Sequence, residues 1–326
     1  MVDGRDQQAV IDAVKATDLL SVSVGKRALS AVAPLLTTAI SERLASCTRP
    51  LDLIIAENLR EGASYLRSLL ATHTPGGISQ TRLGLVATCI GRMVPNPSEA
   101  ARREHGELAV FAESATDFFA DATAFRGERP DCPGLTLVDR MDAYTDRKLF
   151  VHNMTHSAVA YLAAAISDCG SIAESMTLPG VRNTAEAAGR QVISGLLAEY
   201  QDVFTKADLD SYLSGVLGRY CNKRLGDTVF RVGRDLARKL GPQERLIGAA
   251  RLVASHGLPI SALATVIAHA LRFNATDPAG RAFPPDQQIR ERLQVEPMAA
   301  VLQSICGLSP ESPIDSQILD AVIGSE

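Results

Sequence analysis

Hydrophobic and polar positions change their period along the chain. Residues 7–16 carry a helical period, and Asp18-Leu19-Leu20-Ser21-Val22-Ser23-Val24-Gly25 reads as a buried strand that ends in Gly. A helix is expected over about 29–45, with Pro34 in its first turns, and a second strand over Leu51-Asp52-Leu53-Ile54-Ile55-Ala56, closed by Glu57-Asn58 before another helix. Such alternation indicates a parallel α/β sheet, whose ligands gather at the C-terminal ends of the strands. Gly25 and Asn58 both sit at such ends. Residues 83–121 read as further sheet and connections, with a break at Val94-Pro95-Asn96-Pro97, and the Gly- and Pro-rich stretch 125–135 leads out of this region. Beyond residue 138 nearly every segment has helical period, including 185–204, 206–219, 242–255 and 260–273.

The run 144–166 has no Gly or Pro and is dense in Ala and Leu, so one continuous helix is expected. It carries Lys148, Asn153 and His156. At about 100° per residue these three fall within an arc of roughly 140°, and Lys148 lies about 12 Å along the axis from His156. An amine, an amide and an imidazole on one face are groups that can take a proton from an alcohol and hold the alkoxide. An amphipathic helix with a capped Asn and a satisfied core His would use the same residues. Three polar groups on so apolar a stretch favour the site.

Composition narrows the classes. The 326 residues are 46% hydrophobic but only 5% aromatic, with no Trp, and the formal net charge is −4. That charge argues against nucleic acid or an anionic membrane as the main partner. Residues 158–166, the longest clearly apolar stretch, fall far short of the roughly 20 needed to span a bilayer, and the polar opening Met1-Val2-Asp3-Gly4-Arg5-Asp6 does not read as a signal peptide. Cys47, Cys89, Cys132, Cys169, Cys221 and Cys306 are scattered without C-x-x-C spacing, so neither a zinc site nor a disulfide framework is expected. A reducing cytoplasm is the natural compartment.

A second polar cluster places Arg231, Arg234 and Arg238 at i, i+3 and i+7, one stripe if the segment is helical throughout. Arginine forks bind phosphate oxygens bidentately, so the stripe would suit a phosphorylated substrate; an ordinary solvated basic face is the other reading. His256 and His269 stand alone on helices, and His73 and His105 read as loop or surface positions. No metal constellation emerges.

The Lys-x4-Asn-x2-His pattern of Lys148, Asn153 and His156, followed by Ala160-Tyr161-Leu162, resembles the polyol-specific long-chain dehydrogenases. The likeness extends through 18–25, Ala28-Leu29, Ala33-Pro34, Ile55-Ala56-Glu57-Asn58-Leu59, Asn222 with Leu225 and Asp227, and 231–240 with Glu244 before Arg245-Leu246-Ile247. It implies an α/β, partial Rossmann-like parallel sheet domain at 1–137 followed by an all-α substrate domain at 138–326. It also implies NAD as cofactor and interconversion of mannitol 1-phosphate and fructose 6-phosphate. Lys148 would be the general base, Asn153 and Asn58 would donate to the developing alkoxide, and His156 would orient substrate hydroxyls. Arg231 and Lys239 match positions near the family's substrate, with Arg234 and Arg238 as candidates for a phosphate, and Gly25 and Glu57 would face the cofactor.

Three features depart from the family pattern. No G-x-G-x-x-G occurs, and the chain opens where the second half of a dinucleotide fold would, which leaves on the order of 60 to 80 residues unaccounted for at about 30 per βαβ unit. Gly91 precedes Arg92 where the family has an acidic residue. Met154-Thr155 and Ala163 stand where relatives have Gly beside the His or after Tyr-Leu, changes that would narrow the pocket. The competing expectations are an inactive sugar-phosphate-binding remnant, a subunit completed by a partner chain, and a structural or interaction module.

Overall fold

The computed structural model describes residues 2–74, 77–79, 81–94, 99–113, 117–166 and 169–325, and the Pro95-Asn96-Pro97 break lies outside them. The chain divides into two compact units, Met1–Thr145 and Asp146–Glu326.

In the first unit, β1 (Leu19–Val22), β2 (Leu51–Ile55), β3 (Leu83–Ile90), β4 (Phe118–Asp121) and β5 (Thr136–Val138) form one sheet in that order. Strands β1, β2 and β3 are parallel, with Leu20 opposite Leu53 and Leu53 opposite Leu85. The sheet is parallel-dominated, as expected, with one antiparallel pairing: the chain returns along β3, setting β4 antiparallel to it with Cys89 opposite Phe119. Strand β5 then lies parallel to β4.

Helices α1 (Gln7–Lys15), α2 (Lys26–Ser46) and α3 (Gly62–Thr72) precede the shorter α4 (Glu99–His105) and α5 (Met141–Asp146). Every residue of β2 is buried, the pattern of a strand covered on both faces. Leu51, Leu53 and Ile55 join Leu29 and Ile40 of α2 and Leu66 of α3 in one core, while Ile54 packs with Val86, Ala120 and Phe125 on the other side. The first strand departs from its expectation. Instead of a buried strand over 18–25, β1 is a four-residue edge strand with Leu19 40% exposed, because only β2 flanks it among the described residues. The next helix begins at Lys26, so Pro34 lies inside it rather than in its first turn. Interior Pro removes a backbone donor, and the hydroxyl of Thr38 bonds to the Pro34 carbonyl one turn on.

The second unit is helical. After a π-helix at Arg147–Asn153 come α6 (Met154–Ile166), α7 (Ile172–Ser175), α8 (Pro179–Glu199), α9 (Lys206–Tyr220), α10 (Val229–Gly233), α11 (Leu236–Lys239), α12 (Ile247–Ser255), α13 (Ser261–Leu271), α14 (Pro284–Val295), α15 (Met298–Cys306) and α16 (Pro313–Ile323). Helix α6 is the hub, packed against α8, α10 and α13, and it is buried from Ser157 through Ala163. Ala and Ser allow that close approach on several sides. No described helix is long and apolar enough to cross a membrane.

Candidate functional site

The single helix expected over 144–166 is interrupted where it matters. Residues Arg147–Asn153 form a π-helix, and the Met154 amide bonds back to the Leu149 carbonyl, five residues earlier. The helical-wheel argument therefore fails across this segment. With i→i+5 bonding, Lys148 and Asn153 come one wide turn apart along one side, whereas an α-helix would set them about 140° apart. His156 follows in the first turn of α6.

A wide turn opening into an α-helix leaves carbonyls without regular partners, and hydroxyls take their place. Thr155 Oγ1 donates to the Val151 carbonyl at 2.6 Å, Tyr220 to the His152 carbonyl at 2.7 Å, and Ser157 to the Asn153 carbonyl at 2.9 Å. The Thr155 and Tyr220 hydroxyls also meet at 3.0 Å. Thr155 thus supports the turn. On the far side the Arg147 guanidinium lies 4.3 Å from the Tyr212 ring centroid, and Tyr200 donates to Asp146 at 2.8 Å.

Lys148 is half-buried at the start of this turn, and its charge reaches His152. His152 is buried, with Nδ1 lacking a partner, and desolvation, joined by the neighbouring cations, holds its pKa well below the usual imidazole range.

His156 stacks on Tyr220, centroids 4.7 Å apart and planes 11° from parallel. Its Nε2 lies 3.0 Å from Asp227 Oδ2, although the angle falls outside hydrogen-bond geometry and neither atom has another partner. Burial, reinforced by Arg231, Lys239 and Arg245, pushes the His156 pKa down to about 3. The Asp227 carboxylate works in the opposite direction at that distance. Burial dominates, and the ring is neutral at neutral pH. The other Asp227 oxygen is ion-paired with Arg231. Asp227 and Tyr220 also line a cavity of about 180 Å³ with Ser171, Asn222 and Lys223.

The arginine stripe is not a stripe. Helix α10 ends at Gly233 and α11 begins at Leu236, with Asp235 between them in the left-handed region at φ 74°. The break is held from outside: the buried Asp286 carboxylate accepts the Asp235 and Leu236 amides at 2.9 and 2.7 Å, and Tyr161 donates to the Gly233 carbonyl at 3.1 Å. Arg234 is exposed, its guanidinium 5.5 and 5.8 Å from the Phe230 and Phe283 ring centroids. Arg238 is tied to Asp235 at 2.5 Å. Lys239 is buried and donates to the Val232 carbonyl. Desolvation first, then the Arg245 and Arg238 charges, lowers its pKa to about 7.

In the first unit, Gly25 stands at the head of α2 with φ 83° and open space around it. The buried Glu57 turns inward to that loop, accepting the Val24 and Gly25 amides at 2.6 Å each. Asn58 is exposed in the bend after β2. Beside Gly91 stands a carboxylate: a Cβ on Gly91 would meet Asp117 Cβ at 2.9 Å and Oδ2 at 3.2 Å. The Gly91 amide donates to the Asp117 carbonyl at 2.7 Å. Gly91→Asp should therefore destabilise the protein by about 1–3 kcal/mol in urea unfolding, through overpacking and like charge. Adding Asp117→Gly should restore most of the loss; additive effects would show that the two positions do not compete.

Of the sequence candidates, Lys148, Asn153, His156, Arg231 and Lys239 fall in the second unit, and Gly25, Glu57 and Asn58 in the first. Tyr220 and Asp286 carry no sequence signal that singles them out. Asp227 does, in its spacing of four before Arg231.

The geometry can be set beside known proteins. Residues 1–134 match the mannitol dehydrogenase Rossmann domain and residues 140–305 the mannitol dehydrogenase C-terminal domain. The chain is 29% identical over 303 residues to mannitol-1-phosphate 5-dehydrogenase of Bacillus licheniformis, covering 92% of this chain and 76% of the relative. Among solved structures, a Pseudomonas fluorescens mannitol 2-dehydrogenase ternary complex with NAD and D-mannitol superposes with TM-score 0.71 at 16% identity, over 98% of this chain and 74% of the other. A D-sorbitol dehydrogenase in substrate-free form gives 0.74 at 14%, over 98% and 75%. At these identities the two structures carry the fold alone. With both family domains matched in order along the sequence, the chain belongs to the mannitol dehydrogenase family of oxidoreductases.

Proposed function

We propose that this chain is an NAD-dependent oxidoreductase that interconverts mannitol 1-phosphate and fructose 6-phosphate. The observation that carries this reading is the π-turn, which brings Lys148 and Asn153 to one side just ahead of His156. In the oxidative direction Lys148 takes the proton of a secondary hydroxyl as its carbon gives up hydride. The amine must be neutral to do so. Asn153 donates to the developing alkoxide, and His156 orients a neighbouring hydroxyl. Asn58 is expected from the family likeness to donate to the alkoxide as well.

NAD, when bound, supplies the hydride acceptor. The head of α2 leaves room for part of such a cofactor: its first turn has no side-chain cap and Gly25 leaves the approach open, while the Glu57 carboxylate beside it favours a hydroxyl over a phosphate. Glu57 serves there by fixing the loop, since its carboxylate is spent on the Val24 and Gly25 amides.

A phosphorylated substrate is supported by the relative's name and by the basic residues around the α10–α11 break. Arg234 is the better placed for a phosphate, because Arg238 is already engaged by Asp235. Replacing both by Ala should raise KM for fructose 6-phosphate at least about tenfold and leave that for fructose nearly unchanged, as expected for charge-assisted contacts. Equal losses on both substrates would remove phosphate recognition from this segment. The primary test is NADH oxidation with fructose 6-phosphate against fructose. Turnover preferring the phosphate supports the reading, and binding of the sugar phosphate without turnover would overturn it in favour of an inactive binding protein.

A further inference from the structure

The Asp227 carboxylate sits between two groups assigned to the substrate. One oxygen is 3.0 Å from His156 Nε2 and the other is paired with Arg231, while the residue is 8% exposed. Resting on the function proposed above, we infer that Asp227 is a positioning residue that sets the tautomer of His156: it holds the proton on Nε2 and leaves Nδ1 as a bare acceptor for a substrate hydroxyl.

The argument is one of satisfaction. Two buried atoms stand 3.0 Å apart with neither hydrogen-bonded as placed, and with the carboxylate ionised and the imidazole neutral they are satisfied together only if the proton sits on Nε2 and a small tilt of the ring turns it toward Oδ2. The opposite tautomer would face a lone pair against a carboxylate in a buried place. The ring cannot flip over to escape, because Tyr220 stacks on it and is itself fixed by its hydroxyl's bond to the His152 carbonyl. The second ring nitrogen follows from the first: with Nε2 protonated, Nδ1 accepts.

Two consequences bear on the substrate. A bare acceptor takes a hydrogen bond from a hydroxyl and repels a carboxylate or phosphate, so His156 selects a hydroxyl-bearing carbon and not the charged end of the molecule. Arg231 is neutralised by the same carboxylate, so that pair offers little net charge to a phosphate, and anion recognition falls to other cations.

The test uses the full chain labelled with ¹⁵N at histidine, with the His156 resonances assigned by their loss in His156→Gln. At pH 7 the wild-type ring should show a protonated Nε2 and an unprotonated Nδ1, and Asp227→Asn should shift the ring toward the other tautomer or a mixture. In the enzyme assay Asp227→Asn should raise KM for fructose 6-phosphate about tenfold, with the larger part of the loss in KM rather than kcat, the size of one hydrogen bond. A wild-type ring protonated on Nδ1, or a tautomer indifferent to Asp227→Asn, would overturn the inference; the wild-type spectrum needs no variant to fold. A correct tautomer with unchanged KM would overturn its link to substrate. If the wild-type chain turns over no polyol, the function proposed above fails, and the spectra still decide what Asp227 does.

Discussion

Lys148→Ala should lower kcat for mannitol 1-phosphate oxidation by at least about 10³-fold while leaving the thermal midpoint within about 2 °C of wild type. The expectation rests on what the residue does and on what it does not support. General-base catalysis by a placed side chain contributes roughly 10²–10⁴-fold, and no described neighbour offers a substitute: burial holds His152 and His156 as weak bases, the first well below the usual range and the second at about 3. Lys239, lowered to about 7, is committed to the Val232 carbonyl. The π-turn should survive, because the hydroxyls that complete it come from Thr155, Ser157 and Tyr220. Lys148→Arg should be equally inactive, since a guanidinium keeps its proton throughout the working range. Stopped-flow measurement of hydride transfer in both variants would check this, and a Lys148→Ala protein with a normal rate would sink the mechanism.

Much of the architecture is legible in the sequence because burial writes its period there. The apolar run of β2 reads as a strand covered on both faces, and it is one; the helical periods after residue 146 become the helices around α6. The errors have local causes. A stretch without Gly or Pro gives no sign of a π-turn, since the extra residue per turn is stabilised by hydroxyls on α6 and α9 that lie as far as 68 residues away. The arginine segment keeps helical spacing in sequence, yet Asp286, about 50 residues later, captures the amides that a continuous helix would use internally. In both places a distant polar side chain competes for backbone groups, and neither competition leaves a mark on the periodicity. Lys148, Asn153 and His156 were identifiable as chemical types and by family likeness, but the wide turn that aligns the first two was not. The carboxylate beside Gly91 was hidden for the same reason, for Asp117 reaches it across the β3–β4 side of the sheet.

The largest stability effect should come from a single methyl group in the first unit. Gly84 lies opposite Asp52 in the β2–β3 register, and a Cβ there would stand 2.0 Å from Asp52 Oδ1 and 2.7 Å from the Ala124 carbonyl oxygen. Neither neighbour can yield cheaply. The Asp52 carboxylate is 2% exposed and accepts the Arg126 amide at 2.8 Å and the Gly127 amide at 2.9 Å, which ties the loop after β4 onto the sheet. The Ala124 oxygen belongs to the backbone of that same loop. Swinging Asp52 aside would forfeit two hydrogen bonds to a charged group, each worth about 1.5–3 kcal/mol, and strand the carboxylate in a buried place. Gly84→Ala should thus destabilise the protein by roughly 3–5 kcal/mol in urea unfolding, read as a lower midpoint at an unchanged slope. Asp52→Ala alone should also destabilise, by about 2–4 kcal/mol, through the two amides left without an acceptor. The double variant decides between a clash with the carboxylate and one with the loop backbone: with the carboxylate gone, the closer clash is relieved and the loop carrying the Ala124 carbonyl loses its two ties to Asp52, so the combined loss should be below the sum of the two. A sum that is simply additive would mean that the Ala124 carbonyl, not Asp52, sets the limit at Gly84.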